Sequence, residues 1–284
     1  MLPLFKNKLL LTEYIQSVKQ NKQVVGLVPT MGALHAGHIS LINKSCEESN
    51  VTVCSIFVNP TQFNEKSDFE KYPRLLEKDM HMLENTKCNA IFAPEIKEVY
   101  GKDTTQTIDA DLGYLNLELE AKFRSGHFDG VVTIVKKLFD IVQPDIAYFG
   151  QKDFQQFMTI KKLVEYFEMP IKLVSCPVIR ENDGLAMSSR NLLLTAEERA
   201  FAPTIYQTLN EAKELLDNKS IQEIQQWAEK KLSQEKLVEF EYFEIRNAED
   251  LKPVNDITKT DELVILTAIR VGKIRLIDNI LVKT

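Results

Sequence analysis

The sequence predicts an α/β protein in which a mostly parallel sheet, covered by helices on both faces, is followed by a smaller α+β domain. Three features predict this fold class. Short apolar and β-branched runs alternate with helical patterns over residues 1–176. The run from Val24 to Val28 is apolar throughout and is stopped by Pro29, which is typical of a buried parallel strand. Beyond Arg180 the order changes to two helices and then three strand-like runs.

Each element is predicted from the spacing of its apolar residues. In the first domain we expect helices over 12–20, 39–49, 75–85, 131–142 and 156–167, and strands over 24–28, 51–58, 90–93, 146–149 and 171–176. In the second we expect helices over 196–217 and 221–233, and strands over 240–246, 263–271 and 274–277. The boundary is expected near Pro177, which gives domains of residues 1–176 and 177–284. Ligands of such sheets bind beyond the carboxyl ends of the strands, so chemistry is expected in the loops after Val28, Val58, Phe149 and Ile179.

The composition excludes several classes of protein. The 284 residues carry 35 basic and 41 acidic side chains, a formal net charge of −6, which argues against binding to a nucleic-acid backbone. The four cysteines are widely spaced, so neither a disulfide framework nor a zinc ribbon is expected. No run approaches the roughly 18 apolar residues of a membrane helix. The first residues do not resemble a signal peptide, so we expect a cytoplasmic protein that binds neither nucleic acid nor a membrane.

The first candidate site directly follows the buried strand, in the segment Pro29-Thr-Met-Gly-Ala-Leu-His-Ala-Gly-His38. His35 and His38 lie three residues apart at the predicted start of a helix and therefore face the same way. Gly32 and Gly37 let the backbone approach a ligand, and a helix N-terminus presents N–H groups and a positive dipole to phosphate. The alternative is a surface pair of histidines that only caps the helix. A zinc site is not expected, because no third ligand lies at a convincing spacing.

The second candidate is the loop of residues 57–64, at the end of the next strand. Asn59 and Gln62 are neutral amides that can bind a polar substrate without adding charge. Asn and Pro are also common in plain turns, so position beyond a strand end is what favours a site here.

The third candidate joins a strand to a helix over residues 148–156. Lys152 can pair with phosphate, and Gln156, one helical turn later, can reach the same ligand. Asp153 either binds a ribose hydroxyl or only caps the helix that follows, and the sequence leaves both roles open.

The fourth candidate is a glycine-containing loop at the proposed domain boundary, residues 180–191. Ser188 and Ser189 precede Arg190, and two hydroxyls beside a fixed positive charge suit the β- and γ-phosphates of a nucleotide. A loop at a domain junction is also a natural lid. The sequence has no Walker A loop, no Gly-x-Gly-x-x-Gly and no Gly-x-Ser-x-Gly, so P-loop kinase, dinucleotide-binding and serine hydrolase functions are not expected.

Together these motifs resemble those of a known family. His35-Ala-Gly-His38 is similar to the HIGH motif, and Met187-Ser-Ser-Arg190 to the KMSKS loop, of the nucleotidyltransferase superfamily that includes the class I aminoacyl-tRNA synthetases. More specifically, five segments in order resemble the pantoate–β-alanine ligase family: residues 28–38, 57–63, 72–74, 149–156 and 183–191. The resemblance extends to Arg275-Leu-Ile-Asp-Asn279. It implies a Rossmann-like first domain and a smaller C-terminal lid domain with an antiparallel sheet.

The resemblance also implies an ATP-dependent ligase that works in two steps. The carboxylate of pantoate attacks the α-phosphorus of ATP to give pantoyl adenylate and pyrophosphate, and the amine of β-alanine then displaces AMP to give pantothenate. ATP, Mg²⁺ and a homodimer are implied. Because such an enzyme has mainly to align two anions and offset their repulsion, it needs hydrogen-bond donors and Mg²⁺ rather than a covalent nucleophile.

Carried over by position, the family's functional residues fall into four sets. The implied catalytic residues, with His38 as the proton donor, are His35, His38, Lys152, Ser188, Ser189 and Arg190. The implied ATP-binding residues are Met31, Gly32, Ala33, Leu34, His35, Ala36, Gly37, His38, Gly150, Gln151, Lys152, Asp153, Ile179, Met187, Ser188, Ser189 and Arg190. The implied residues for pantoate and β-alanine are Asn59, Gln62, Tyr72, Arg124 and Gln156, and Asp79 falls where the family has a carboxylate near Mg²⁺.

Two positions depart from the family's usual pattern: Gln151 stands where the family often has Glu, and Thr61 where it often has Met. Two other functions remain open. One is a nucleotidyltransferase or aminoacyl-tRNA synthetase fragment with another substrate, although the negative charge and the lack of a recognisable anticodon-binding region weigh against tRNA. The other is a non-catalytic nucleotide-binding module in which the histidines are structural.

Overall fold

The structure, a computed structural model, describes residues 2–64, 66–103, 107–254 and 256–284, without the side chains of residues 66–68 and 258. The chain forms two compact units. The first contains Met1–Gly150 and Thr159–Pro177, and the second contains Gln151–Met158 and Val178–Thr284.

The first unit is built on a parallel sheet. Its strands are β1 (Leu4–Phe5), β2 (Val25–Thr30), β3 (Val51–Ile56), β4 (Ala90–Phe92), β5 (Ile146–Gly150) and β6 (Lys172–Cys176). Its helices are α1 (Lys8–Gln20), α2 (Ala36–Glu48), α3 (Lys66–Lys71), α4 (Leu76–Glu84), α5 (Ile96–Tyr100), α6 (Glu120–Phe123) and α7 (His127–Val142). The helix α8 (Phe154–Tyr166) begins in the second unit and ends in the first. Within the described residues the strand order is β1-β4-β3-β2-β5-β6, every pair is parallel, and the predicted α/β class is confirmed.

The centre of this sheet explains where a ligand can bind. Strand β2 lies between β3 and β5, so the chain leaves β2 toward one edge and later continues from β5 toward the other. Ligands of open α/β sheets bind at such a reversal of strand order. Helix α2 packs closely on β2 because Gly26 has no side chain: a Cβ there would lie 2.3 Å from the Oγ of Ser45. The loop from β2 to α2 starts at the carboxyl end of β2, next to this reversal, which is where a ligand is expected to bind.

The second unit is the smaller α+β domain that the sequence predicts. Its helices are α9 (Ala196–Phe201), α10 (Thr204–Leu215) and α11 (Ile221–Leu232), and its strands are β7 (Val238–Asn247), β8 (Glu262–Val271) and β9 (Ile274–Lys283). In the described residues these strands form an antiparallel sheet of order β7-β8-β9. Leu209, Ile224 and Ile265, each fully buried, belong to the core that the helices and the sheet share.

Two expectations about this unit are wrong. The single helix expected over 196–217 is broken at Ala202 and Pro203, because Pro203 has no N–H to donate to the preceding turn. Strand β9, expected to end at Ile277, continues to Lys283 because β8 pairs with it along its whole length.

Two further properties concern the described residues as a set. None of their helices combines the length and the apolar character needed to cross a bilayer. The cysteines form no disulfide, and Cys54, Cys88 and Cys176 are buried. Burial raises the pKa of the Cys88 thiol to about 11, which keeps it protonated at neutral pH.

Candidate active site

The loop after β2 places two histidines at the N-terminus of α2. His35 is the N-cap residue, and its Nδ1 accepts the N–H of Gly37 at 3.1 Å. The Nδ1 of His38 accepts the N–H of His35 at 3.3 Å, and the two ring centroids are 4.1 Å apart. Because each Nδ1 accepts a backbone proton, each neutral imidazole carries its own proton on Nε2. The pair therefore caps the helix and can also donate from two Nε2–H groups, so the structural and functional interpretations are compatible.

A buried carboxylate holds the turn that precedes these histidines. Gly32 and Ala33 have positive φ angles of 78° and 50°, a region that alanine rarely adopts. Asp79 of α4 is 1% exposed and accepts the N–H of Ala33 at 2.9 Å and that of Leu34 at 2.8 Å. The Oγ1 of Thr30 accepts the N–H of Gly32 at 3.1 Å. These acceptors hold the backbone of the turn and thereby position the start of α2.

The environment of Asp79 does not fit the magnesium role that the resemblance implies. Burial raises the pKa of Asp79, and the two N–H donors oppose that rise. Mg²⁺ keeps several water molecules and needs accessible carboxylate oxygens. Both oxygens of Asp79 face backbone donors in a buried position. Among the described residues, no cluster of three His, Cys, Asp or Glu side chains is arranged to hold a metal ion.

Asn59, expected to bind substrate, is occupied by protein groups. Its Nδ2 donates to the Oε1 of Gln62 and to the carbonyl of Gly130, each at 3.1 Å. Its Oδ1 accepts from the hydroxyl of Tyr100 at 2.6 Å and from the Oγ1 of Thr61 at 3.1 Å. The residue is 1% exposed. With both donors and both acceptor positions filled by protein groups, Asn59 is suited to positioning its neighbours, and its direct contact with substrate stays a prediction.

Besides the contact of its side chain with Asn59, Gln62 is held through its backbone carbonyl. The guanidinium of Arg124 can only donate, so the Nε2 of His127, 2.9 Å away, accepts from it. The Nδ1–H of His127 then donates to the carbonyl of Gln62 at 2.7 Å. Arg124, expected at the substrate, thus contacts a histidine that holds Gln62. Tyr72 is 8% exposed and packs edge-on against Phe63, with ring centroids 5.6 Å apart.

A cavity of about 530 Å³ opens at the carboxyl ends of β3 and β4. Most of its walls are apolar, and charged side chains lie at a few points. Its lining residues are Met31, Gly32, Ile56, Phe57, Val58, Phe69, Arg74, Leu75, Leu76, Asp79, Ala93, Pro94, Glu95, Ile96 and Lys97. The cavity borders the same turn that Asp79 holds, and it can enclose a small ligand with an apolar portion.

In the second unit, the residues after β5 are held by Asn279 of β9. Gln151 to Asp153 form one 3₁₀ turn, and the Nδ2 of Asn279 donates to the carbonyls of Gln151 at 3.0 Å and Lys152 at 2.9 Å. The Nε2 of Gln151 donates to the Oδ1 of Asn279 at 3.2 Å, a bond that an ionised glutamate at this position has no proton to make. Lys152 and Gln156 are half-buried, and Asp153 is exposed.

A buried ion pair holds the loop that carries the two serines. Arg180 donates to both carboxylate oxygens of Asp278, at 2.6 Å and 3.0 Å, and its guanidinium lies 3.6 Å from the ring centroid of Tyr206. Burial raises the pKa of Asp278, and the charge of Arg180 opposes the rise. Arg180 also donates to the carbonyl of Gly184 at 3.1 Å, where the φ of +93° suits glycine.

The end of that loop contains the KMSKS-like segment. The N–H of Met187 donates to the carbonyl of Ile179 at 2.9 Å. Ser188 caps a 3₁₀ helix, Ser189–Leu193, because its Oγ accepts the N–H of Arg190 at 3.3 Å. Ser188, Ser189 and Arg190 therefore lie within a single turn of the chain.

Comparison with known proteins identifies the family. The family model for pantoate-beta-alanine ligase matches residues 4–281. The chain belongs to the pantoate–β-alanine ligase family. Pantothenate synthetase of Flavobacterium psychrophilum is 46% identical over 273 residues, 95% of this chain and 96% of that protein. Pantothenate synthetase of Porphyromonas gingivalis is 43% identical over 270 residues, 95% of each chain.

Solved structures of this ligase family are similar to this chain over nearly its whole length. The crystal structure of pantothenate synthetase from Thermus thermophilus has a TM-score of 0.91 and 35% identity, and covers 98% of this chain and 99% of that one. The pantoate-beta-alanine ligase of Francisella tularensis, complexed with beta-gamma ATP and beta-alanine, has a TM-score of 0.79 and 35% identity over 99% and 98% of the two chains.

Within each unit, several residues that contact predicted site residues have no role assigned from the sequence. His127 lies three positions after the predicted site residue Arg124, and Asp278 and Asn279 end the family-like segment 275–279, to which no role is given. Tyr100 carries no sequence signal, because it lies 41 positions from Asn59 and only the fold brings them together. In the first unit, the structure joins Gln62 and Met31, whose Nε2 and Sδ are 3.0 Å apart.

We expect Asp79→Asn to loosen the β2–α2 turn. The amide keeps one acceptor but turns an NH₂ group toward the other N–H, so the free energy of unfolding should fall by about 1–3 kcal/mol. Backbone amide hydrogens of Ala33 and Leu34 should exchange with solvent faster in D79N than in the wild type. Asp140→Asn, an exposed acid paired with Lys136, is the control and should change neither quantity. If Mg²⁺ alone stabilised the wild type but not D79N, Asp79 would be a metal ligand after all.

We expect Asp278→Asn to destabilise the second unit by about 3 kcal/mol, because the guanidinium of Arg180 would be left largely buried without a counter-charge. Urea unfolding followed through Trp227, the only tryptophan in the sequence and part of α11, reports on this unit. Glu211→Gln, which breaks the more exposed pair with Lys231, should cost no more than about 1 kcal/mol. Equal effects of the two substitutions would contradict the importance of burial.

Proposed function

We propose that the protein is a pantoate–β-alanine ligase that forms pantothenate from pantoate, β-alanine and ATP, and releases AMP and pyrophosphate. The observation that carries this proposal is the family match over residues 4–281. The Francisella tularensis relative, a structure complexed with beta-gamma ATP and beta-alanine, supports two of the three substrates.

In the first proposed step, a carboxylate oxygen of pantoate attacks the α-phosphorus of ATP. A new P–O bond forms, the bond to the β-phosphate oxygen breaks, and pyrophosphate leaves. The Nε2–H groups of His35 and His38 donate to the phosphate oxygens on which charge accumulates, and the N-terminus of α2 adds its positive dipole. His38 is the proposed proton donor.

The remaining ATP contacts are assigned to loop backbones and to cations. Met31 to His38 and Gly150 to Asp153 bind the nucleotide, with Asp153 at the ribose and the backbone of Ile179 at the adenine. Lys152, Ser188, Ser189 and Arg190 bind the triphosphate, where hydroxyls and fixed positive charges offset its repulsion of pantoate.

In the second proposed step, the amine of β-alanine attacks the acyl carbon of pantoyl adenylate. The amide C–N bond forms, the nitrogen loses its proton and AMP departs with the bonding electrons. Gln62 and Gln156 hold pantoate, and Gln62 also lies near β-alanine. Their neutral amides bind carboxylate and hydroxyl oxygens without competing as nucleophiles. The apolar cavity beside Met31 suits the two methyl groups of pantoate.

Three further features belong to this proposal. Mg²⁺ is the expected companion of ATP; because Asp79 is engaged by backbone N–H groups, its ligands would be triphosphate oxygens and water. A homodimer is proposed from the family resemblance, and light scattering should give twice the mass of one chain. The proposed location is the cytoplasm.

The function is tested by incubating the purified protein with ATP, Mg²⁺, pantoate and β-alanine. AMP and pantothenate should form in equal amounts, because each turnover consumes one adenylate. With β-alanine omitted, pantoate should still support exchange of labelled pyrophosphate into ATP. Formation of ADP would contradict the adenylate route. Exchange that depends on an amino acid and tRNA would favour the synthetase-like alternative.

We expect His38→Ala to lower kcat by about 10²–10³, comparable to the loss of one donor to a developing oxyanion. The substitution also removes a capping contact, which should cost about 1 kcal/mol of stability. His81→Ala replaces an exposed histidine on α4 and is the matched control. Unchanged turnover in H38A would show that the histidine pair only caps α2.

A further inference from the structure

We propose that Tyr100 is a positioning residue that, through Asn59, turns the amide of Gln62 so that its NH₂ group donates to the pantoate oxygen it binds. This inference rests on the proposed role of Gln62 in holding pantoate. It assigns a role to Tyr100 and to Thr61, and it specifies which end of the Gln62 amide meets the substrate.

The orientations of the Asn59 and Gln62 side-chain amides follow from one group that can only accept a hydrogen bond, the carbonyl of Gly130. The carbonyl of Gly130 lies 3.1 Å from Asn59, so the atom of Asn59 that faces it is Nδ2. The Oδ1 of Asn59 must then face the other way, toward the hydroxyls of Tyr100 at 2.6 Å and Thr61 at 3.1 Å. Both hydroxyls donate to this oxygen, so the asparagine has one satisfied orientation.

The orientation of Asn59 decides that of Gln62. The second hydrogen on Nδ2 points at the side chain of Gln62 at 3.1 Å, so the Gln62 atom on that side is Oε1. Its Nε2 then faces the Sδ of Met31 at 3.0 Å, and a thioether is a weak acceptor. A carboxylate or hydroxyl oxygen of a substrate is a much stronger acceptor and can replace it. The backbone of Gln62 cannot drift, because His127 binds its carbonyl at 2.7 Å.

Burial makes this arrangement specific. Asn59 is 1% exposed and Tyr100 is 7% exposed, so water has little access to replace a lost donor. Burial also raises the pKa of Tyr100, which keeps the hydroxyl protonated and able to donate at neutral pH. Helix α7 can bring the Gly130 carbonyl this close because a Cβ at Gly130 would lie 2.3 Å from the carbonyl oxygen of Thr61.

Thr61 supplies a second donor in this arrangement. Its Oγ1 donates to the Oδ1 of Asn59 and lies 3.1 Å from the hydroxyl of Tyr100. A methionine, which the family often has at this position, has no hydroxyl to donate. Here two donors meet one amide oxygen, and the loss of one leaves the other in place.

The test compares Tyr100→Phe, Thr61→Val and the double variant by steady-state kinetics. Y100F should raise the KM for pantoate about fivefold, as expected for the loss of one buried hydrogen bond, and T61V about twofold. The double variant should exceed the product of the two effects, because the Oδ1 of Asn59 then has no donor. The KM for ATP and kcat should change by less than about twofold in each.

Tyr148→Phe is the matched control. Its hydroxyl is hydrogen-bonded to Glu48 at 3.1 Å, outside this group of residues, and its loss should leave the KM for pantoate unchanged. Thermal unfolding of every variant separates a loss of stability from a loss of positioning. A purely structural role predicts lower unfolding temperatures with unchanged KM for pantoate in both Y100F and T61V, and would overturn the inference.

Failure of this inference can be told apart from failure of the proposed function. If wild-type protein makes no pantothenate and supports no pantoate-dependent pyrophosphate exchange, the function itself fails. If the wild type is active and the KM for pantoate is the same in the wild type and the double variant, only the role of Tyr100 and Thr61 fails. Equal rises in the KM for pantoate and for ATP would likewise contradict an effect directed at Gln62.

Discussion

The carboxylate of Asp79 stabilises a turn that its own residues disfavour, and the geometry of the loop that we assign to the phosphates of ATP depends on it. A non-glycine residue at positive φ costs about 1–3 kcal/mol, as at Ala33. Two charge-assisted bonds from one carboxylate, each contributing roughly 1.5–3 kcal/mol, can offset that strain together with part of the cost of burying the charge. Because the turn ends at His35, the same two bonds determine where helix α2 begins. The N-terminal dipole of α2 and the imidazoles of His35 and His38 are thereby held in fixed positions.

A common physical device orients the polar groups of both units. A histidine ring or a side-chain amide can present either a donor or an acceptor to a given neighbour. Here the choice is decided by a neighbour that can only donate or only accept. In the first unit, Arg124 can only donate to His127 and the carbonyl of Gly130 can only accept from Asn59. In the second, the backbone carbonyls of Gln151 and Lys152 decide the face that Asn279 presents. Each unit therefore carries its own means of orienting the groups that we assign to substrate.

Strong local patterns predicted most of the fold. Strand β2 is predicted from its continuous apolar run and helix α7 from apolar residues at helical spacing, and the antiparallel order of the second unit is predicted from consecutive strand runs. The break at Pro203 had a local signal, the missing N–H, that the apolar periodicity outweighed. Strand β9 was expected to end at Ile277 because Asp278 and Asn279 interrupt the apolar pattern. Those two polar residues are held inside the sheet by partners that only the fold supplies.

By itself the sequence determined the fold class, the family and the loops in which chemistry is expected, because motif order and hydrophobic spacing are written locally along the chain. Only the tertiary structure decided which partners individual side chains meet in and around those loops. Asp79 accepts backbone hydrogen bonds in a buried position, Asn59 has its side-chain donors and acceptor engaged by protein groups, and Tyr100 reaches it from 41 residues away. The physical reason is that a polar side chain acts through the partner it meets when buried, and that partner is set by packing between distant segments.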